Sequence, residues 1–543
     1  MTDYQQGGLP RRTFLKRTGQ LGALALAANP TRAFAIATGV TPNVETTEGP
    51  VRGLLDDGVH TFLGIPYATP PLGKLRFWPP ALPNPHKGVF DAIRLGHASM
   101  QLSSGGSAVS YPGRIGPALS QVYGSRNDLL TQHEDCLVLN VWSPGLKGEK
   151  RPVMVWFHGG GFNYGSGSWP AYDGHNLAKN NDVVVVTVNH RLNAFGFLNL
   201  AEVWDDYADS GIVGQLDLVR SLEWVRDNIE SFGGDAGNVT IFGQSGGGAK
   251  VSTLHAMPHA KGLFHKCIIQ SGAGLRVGEP FEAAEVAAKV LRELDIGRDQ
   301  QSRLMDIPAA QIQAAAIKVG GRYGPILNRT HIPEHPFDER SRAISDDIPV
   351  MVGFTKDEMT LYNVGFEWWR NLTEAQMRER VREQREDHAD ALIAAYQRLH
   401  PDYSPRHLYT AILTSRQFES ATTLAERKTA QKSGPAYLYS FNWDAPVDDG
   451  ILKSPHTMEI PFIFDNVDKG PMLLGTDRAT QKLGSQMSKV WSTFARTGDP
   501  NTRGIPKWAP YETTNRATMV FDNKSRAIDN YMGEVRPLLR LRS

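Results

Sequence analysis

The most constraining stretch of this chain is Gly243-Gln244-Ser245-Gly246-Gly247, set between the apolar run Val239-Thr240-Ile241-Phe242 and a segment patterned as a helix. A serine in a tight strand-to-helix turn needs small neighbours because the backbone there is strained. The turn lifts Oγ above the sheet and leaves the next N–H free to face an anion. Glycine-rich turns produce G-x-S-x-G by chance, so the flanking elements carry the meaning. Short apolar runs alternate with helical patterns on both sides. Residues 137–142, 152–157 and 182–188 read as strands, the last two as buried central ones, and 266–270 as another. Leu218, Leu222, Val225 and Ile229 recur at helical spacing and Gly233-Gly234 follows them, which predicts a helix over 215–232. Strands alternating with helices predict an α/β fold with a mainly parallel sheet covered on both faces.

Two other readings of the glycine-rich stretch separate quickly. A phosphate-binding loop needs lysine directly after the last glycine of G-x-x-x-x-G-K, but Ala249 stands there and Lys250 comes one residue late. A nucleophilic serine needs a base for its proton and donors for the negative charge that develops on the attacked oxygen. Donors are visible upstream in His158-Gly159-Gly160-Gly161-Phe162, directly after the strand that ends at Phe157. Such a loop lets backbone approach a ligand closely, and with Gly246 it defines Gly160, Gly161 and Gly246 as the expected oxyanion hole.

Charge excludes some functions. Lys+Arg 58 against Asp+Glu 57 gives a net +1, so no basic surface argues for nucleic acid or an anionic membrane. Charged residues at 21% and hydrophobic ones at 41% describe a globular chain. Two cysteines make neither a disulfide scaffold nor a C-x-x-C zinc site, and no His/Asp/Glu cluster has metal spacing, so no metal is expected. No apolar run is long enough for a membrane-spanning helix.

The remaining motifs carry a resemblance over about 47–522. Phe62-Leu63-Gly64-Ile65-Pro66-Tyr67-Ala68, Glu134-Asp135-Cys136-Leu137, the H-G-G-G-F loop, Arg191 with Phe195-Gly196-Phe197-Leu198, Asp217 with Trp224-Val225, Phe232-Gly233-Gly234-Asp235, Gln270-Ser271-Gly272, and Trp491, Phe494-Ala495 and Thr497-Gly498-Asp499-Pro500-Asn501 occur in one order. Together they resemble the type-B carboxylesterases, the family of cholinesterases and bacterial para-nitrobenzyl esterases. The resemblance implies an α/β-hydrolase fold and a serine carboxylesterase acting through an acyl-serine on small to medium neutral carboxylic esters, with no cofactor. It implies a triad of Ser245, Glu358 in Gly353-Phe354-Thr355-Lys356-Asp357-Glu358, and His456 in Pro455-His456-Thr457-Met458-Glu459. Asp357 is the competing acid. Activity is then expected to rise with pH as His456 deprotonates, roughly in the 6–7 range of a histidine. A binding-only relative without turnover is the alternative, and the intact triad argues against it.

The same resemblance suggests scaffold ion pairs Arg76–Glu134 and Arg191–Asp217. Three departures stand out. Cys136 lacks a partner near Met100, so Cys136 and Cys267 are expected as free thiols. Gln244 replaces the usual Glu before the nucleophile, which argues against a cationic substrate. Gly246 replaces the usual alanine, with a looser turn expected. Tyr164, Trp169, Phe366, Trp368, Trp369 and Phe462 fall near pocket loops, though core packing is the ordinary role for any one of them.

At the N-terminus, Arg11-Arg12 with Phe14-Leu15-Lys16, a short apolar stretch and Ala33-Phe34-Ala35 resemble a bacterial twin-arginine (Tat) export signal over 1–35. The expectation is a periplasmic or secreted enzyme, monomeric, with 36–543 as one catalytic domain and 280–435 largely insertion or lid.

Overall fold

The computed structural model describes residues 39–102, 111–124, 131–339, 344–385 and 388–539. The export-signal reading of 1–35 lies outside the described residues.

The described residues build a 12-stranded mixed sheet. Its main strands are β1 (Val59–Pro66), β2 (Val138–Ser143), β3 (Arg151–Phe157), β4 (Val184–Val188), β5 (Gly234–Gln244), β6 (Lys266–Gln270), β7 (Val350–Thr355), β8 (Ala436–Phe441) and β9 (Thr518–Phe521). They lie in the order β1-β2-β4-β3-β5-β6-β7-β8-β9, and short strands extend both edges. From β4 to β9 every pairing is parallel, whereas β1 and β2 join antiparallel. The parallel strands read as continuous apolar runs because both faces are covered: every residue of β3, β4 and β6 is buried. Fully burying one Val or Ile there contributes about 1.5–3 kcal/mol relative to leaving it in water.

Helices α1 (Val213–Asn228), α2 (Gly246–His255), α3 (Pro405–Ala430) and α4 (Arg478–Thr497) supply that cover. Helix α4 starts where Asp477 Oδ1 accepts from the Thr480 N–H at 2.9 Å and stops at left-handed Gly498. Two apolar clusters result among the described residues. The larger one surrounds the sheet. The smaller one packs Phe195, Phe197, Trp204 and Tyr207 under Val290, Leu304 and Ile312. The 280–435 stretch therefore combines helices over the second cluster with strand β7 inside the sheet and α3 against it.

Register decides where chemistry can gather. Phe157 of β3 pairs with Gly243, Gln244 with Gln270, and Gln270 with Gly353. The loops after β3, β5, β6 and β7 thus leave the sheet side by side at the carboxyl ends of parallel strands, the edge at which open α/β sheets bind ligands.

Candidate active site

Ser245 follows the last residue of β5 and precedes the first of α2. Its backbone sits at φ 59°, ψ −125°, a conformation an L-residue adopts only when its surroundings force it. The force is visible: the Ser245 N–H is held by the Gln270 carbonyl at 2.8 Å. A Cβ on Gly246 would lie 2.2 Å from the Gly161 oxygen, so the departure from alanine brings loop and helix into close contact rather than loosening the turn.

The glycine loop after β3 lies against this turn. Gly160 and Gly161 have φ of +88° and +61°. The N–H groups of Gly160, Gly161 and Gly246 donate to no other group among the described residues, while the Gly160 carbonyl accepts from Asn163 and Tyr164 at 3.3 Å. Behind the loop, Lys250 Nζ donates to the carbonyls of His158 at 2.8 Å and Gly161 at 3.0 Å.

The other side is acidic. Glu358 Oε2 contacts His456 Nδ1, and its Oε1 accepts from the Thr355 N–H at 2.8 Å. Burial works to lower the His456 pKa, but the Glu358 charge, the bond to it and the Glu459 charge outweigh that and leave it raised. Asp357, by contrast, is held by the Tyr403 hydroxyl at 3.0 and 3.1 Å, and burial lifts its carboxyl to about 6. Glu358, not Asp357, faces the histidine.

Four contacts were not anticipated from the sequence. Gln244 Nε2 lies 3.3 Å from both ring nitrogens of His456. The Tyr362 ring centroid is 5.4 Å from that of His456, and its hydroxyl meets the Ser245 side chain. The Ser245 hydroxyl makes no direct hydrogen bond to His456 among the described residues, an arrangement common before substrate aligns the groups. Glu459 is fully buried, its Oε2 without a hydrogen-bond partner among the described residues, and burial followed by the Glu358 charge raises it to about 7. Its place three residues after His456 was the available signal, as was the place of Tyr362 four after Glu358. Lys250 is the fourth.

Of the aromatic candidates, Trp369 and Phe462 are fully buried core residues, Phe462 packing between Phe441 and Trp443. Phe366 is exposed and stacks on Trp368. Both expected ion pairs form: Arg76 grips Glu134 with two 2.6 Å bonds, and Arg191 grips Asp217 at 2.6–3.0 Å. Cys136 and Cys267 are buried and unpaired. Among the described residues no group of three His, Cys, Asp or Glu could hold a metal, and no helix is long and apolar enough to cross a membrane.

The Carboxylesterase family profile matches residues 40–536. The chain is 34% identical over 500 residues to the para-nitrobenzyl esterase of Bacillus subtilis (strain 168), covering 89% of this chain and 96% of that one. It is 31% identical over 506 residues to the phenmedipham hydrolase of Pseudarthrobacter oxydans, covering 90% and 96%. A crystal structure of a Geobacillus stearothermophilus carboxylesterase at pH 6.2 superposes with a TM-score of 0.78 at 34% identity, over 92% of this chain and 100% of that one. The chain accordingly belongs to the carboxylesterase family, has the α/β-hydrolase fold, and is a serine carboxylesterase that hydrolyses esters.

Proposed function

We propose that Ser245, His456 and Glu358 are the catalytic triad and that the N–H groups of Gly160, Gly161 and Gly246 form the oxyanion hole. The supporting observation is the Glu358 carboxylate on His456 Nδ1, which leaves Nε2 as the ring's proton acceptor. Ser245 Oγ attacks the acyl carbon while His456 Nε2 takes its proton. The carbonyl oxygen becomes an oxyanion facing the three N–H groups. The C–O bond to the alcohol breaks as His456 returns the proton to the leaving oxygen, and Ser245 keeps the acyl group. Water then repeats the sequence and releases the acid. Glu358 orients the imidazole and stabilises its protonated form.

The substrate in this reading is a small to medium neutral carboxylic ester. Gln244 puts a neutral amide, not a carboxylate, against the histidine, so nothing at that position attracts a cation. Residues 1–35 act as a twin-arginine export signal, and the mature chain works outside the cytoplasm as a monomer of one catalytic domain. That part of the reading rests on the sequence of 1–35, and signal-dependent transport of the full-length chain, abolished by Arg11→Lys with Arg12→Lys, is its test.

For the chemistry the test is p-nitrophenyl butyrate hydrolysis by wild type and Ser245→Ala, together with labelling by an organophosphate. Turnover is expected to fall by at least ~10³-fold in Ser245→Ala, with the phosphyl adduct mapped to Ser245. Undiminished turnover in that variant, or an adduct elsewhere, refutes the assignment.

A further inference from the structure

The mechanism above leaves unused an ionisable group buried beneath the oxyanion loop. Lys250 is fully buried, an uncommon place for a lysine, and no carboxylate among the described residues pairs with it. The ionisable side chains facing it are His158 and His190, whose rings stack at 5.0 Å. Burial first, then the Lys250 charge, lowers both histidines well below their ordinary value, so both are neutral. Phe162 closes the site with its ring centroid 5.3 Å from Nζ. Burying a lysine without an anion beside it is costly, so its position calls for a function beyond packing.

Its bonds supply one. The carbonyls it holds, those of His158 and Gly161, bracket the peptide units that carry the Gly160 and Gly161 N–H groups. Lys250 stands one helical turn after Gly246, on the same face of α2. Gly246 permits the close approach of Gly161, and Lys250 seizes the same Gly161 carbonyl from the next turn. The pair acts on one loop from two adjacent positions.

We propose that Lys250 is a positioning residue of the oxyanion hole, its Nζ donors tying the His158 and Gly161 carbonyls so that the N–H groups between them stay aimed at the ester oxygen. The inference rests on the oxyanion-hole assignment proposed above. An interaction of this kind matters most when charge appears on that oxygen, so its loss falls on the transition state more than on substrate binding.

The experiment compares wild type with Lys250→Met, which keeps length and packing while removing donors and charge. Active sites are counted by organophosphate titration, and folding is checked by near-ultraviolet circular dichroism. Per titrated site, kcat is expected to fall ~10–100-fold with KM within ~3-fold. Affinity for a trifluoromethyl ketone, which forms a tetrahedral oxyanion adduct on the serine, should fall by the same factor as kcat/KM. A kcat within twofold of wild type overturns the proposal, as does a loss confined to KM with the ketone-to-substrate affinity ratio unchanged. Lys250→Leu replaces Lys250→Met if the latter does not fold, and failure of both to fold overturns the proposal in favour of a purely structural lysine. Ser245→Ala run alongside separates the two levels. A dead Ser245→Ala with an unaffected Lys250→Met removes only the positioning role, whereas an active Ser245→Ala removes the oxyanion reading and this inference together.

Discussion

Ser245 stands between two buried ionic regions of opposite sign. On the histidine side, Glu358 and Glu459 surround His456, and the one base present is directly paired. On the glycine-loop side, Lys250 lies among neutral histidines and backbone carbonyls, with no carboxylate paired to it among the described residues. The first region manages burial by pairing charges, the second by surrounding one charge with dipoles. Burial also moves their free acids and bases toward neutrality: Glu459 rises to about 7 while Lys250 falls to about 7. The difference teaches that acid and base can be buried on opposite sides of one serine by different means, pairing on one side and dipoles on the other.

The largest break in this comparison is expected from Glu358→Gln. It removes the charge that raises His456, so kcat is expected to drop ~10³–10⁴-fold and the residual activity to persist to lower pH than in wild type. A kcat/KM profile from pH 4.5 to 9 reads both. An acid limb that stays in place would show that another group sets the histidine.

Gly246→Ala tests the other region. The added Cβ would meet the Gly161 oxygen at 2.2 Å, so either the loop or the helix must move. Activity is expected to fall ~10–100-fold, because small displacements of aligned donors are costly. In a Lys250→Met background the same change should cost less, because the released loop can yield. Strict additivity of the two losses in kcat/KM refutes that coupling.

Stability should separate the regions by slope. Glu459 is raised from 4.5 to about 7 in the folded state, so the folded chain holds a proton that the unfolded chain has lost. Stability from this group therefore falls as pH rises from 4.5 to about 7, by on the order of 3 kcal/mol. Lys250 is lowered from 10.5 to about 7, so the unfolded chain binds the extra proton and stability rises between about 7 and 10.5. Urea unfolding across pH should show the first slope vanish in Glu459→Gln and the second in Lys250→Met. Unchanged slopes would assign the linkage to other groups.

The smallest expected effect is kinetic. With His456 raised, wild-type activity should climb with pH around a value above 6.5, and Glu459→Gln should shift that limb slightly downward while kcat stays within ~3-fold. A flat rate from pH 5 to 8, with chemistry limiting, contradicts His456 as the base.

Legibility in the sequence followed physical type. The parallel strands were readable because burial on both faces leaves uninterrupted apolar runs, as in Val184–Val188. The antiparallel β1–β2 edge was not, since strand direction leaves no mark on a short apolar run. Glycines 160, 161 and 246 announced themselves because only backbone freedom explains them. Lys250 was visible too, but only as a residue misplaced for a phosphate loop. A lysine normally points to solvent, and nothing in a linear pattern says that this one turns inward. Glu459, Gln244 and Tyr362 depend on which side chains the turns bring to one imidazole, which is a property of the assembled fold.

The two thiols carry a last consequence. Cys267 lies in the centre of the sheet on β6, whereas Cys136 lies just before β2 in the antiparallel part, and burial pushes both thiols up and holds them protonated. A thiol reagent reaches either sulfur only when the surrounding structure opens, so each labelling rate times a different opening event. The protein thus contains its own pair of stopwatches, one for fraying at the antiparallel side and one for rupture of the middle, readable by mass spectrometry without adding a probe.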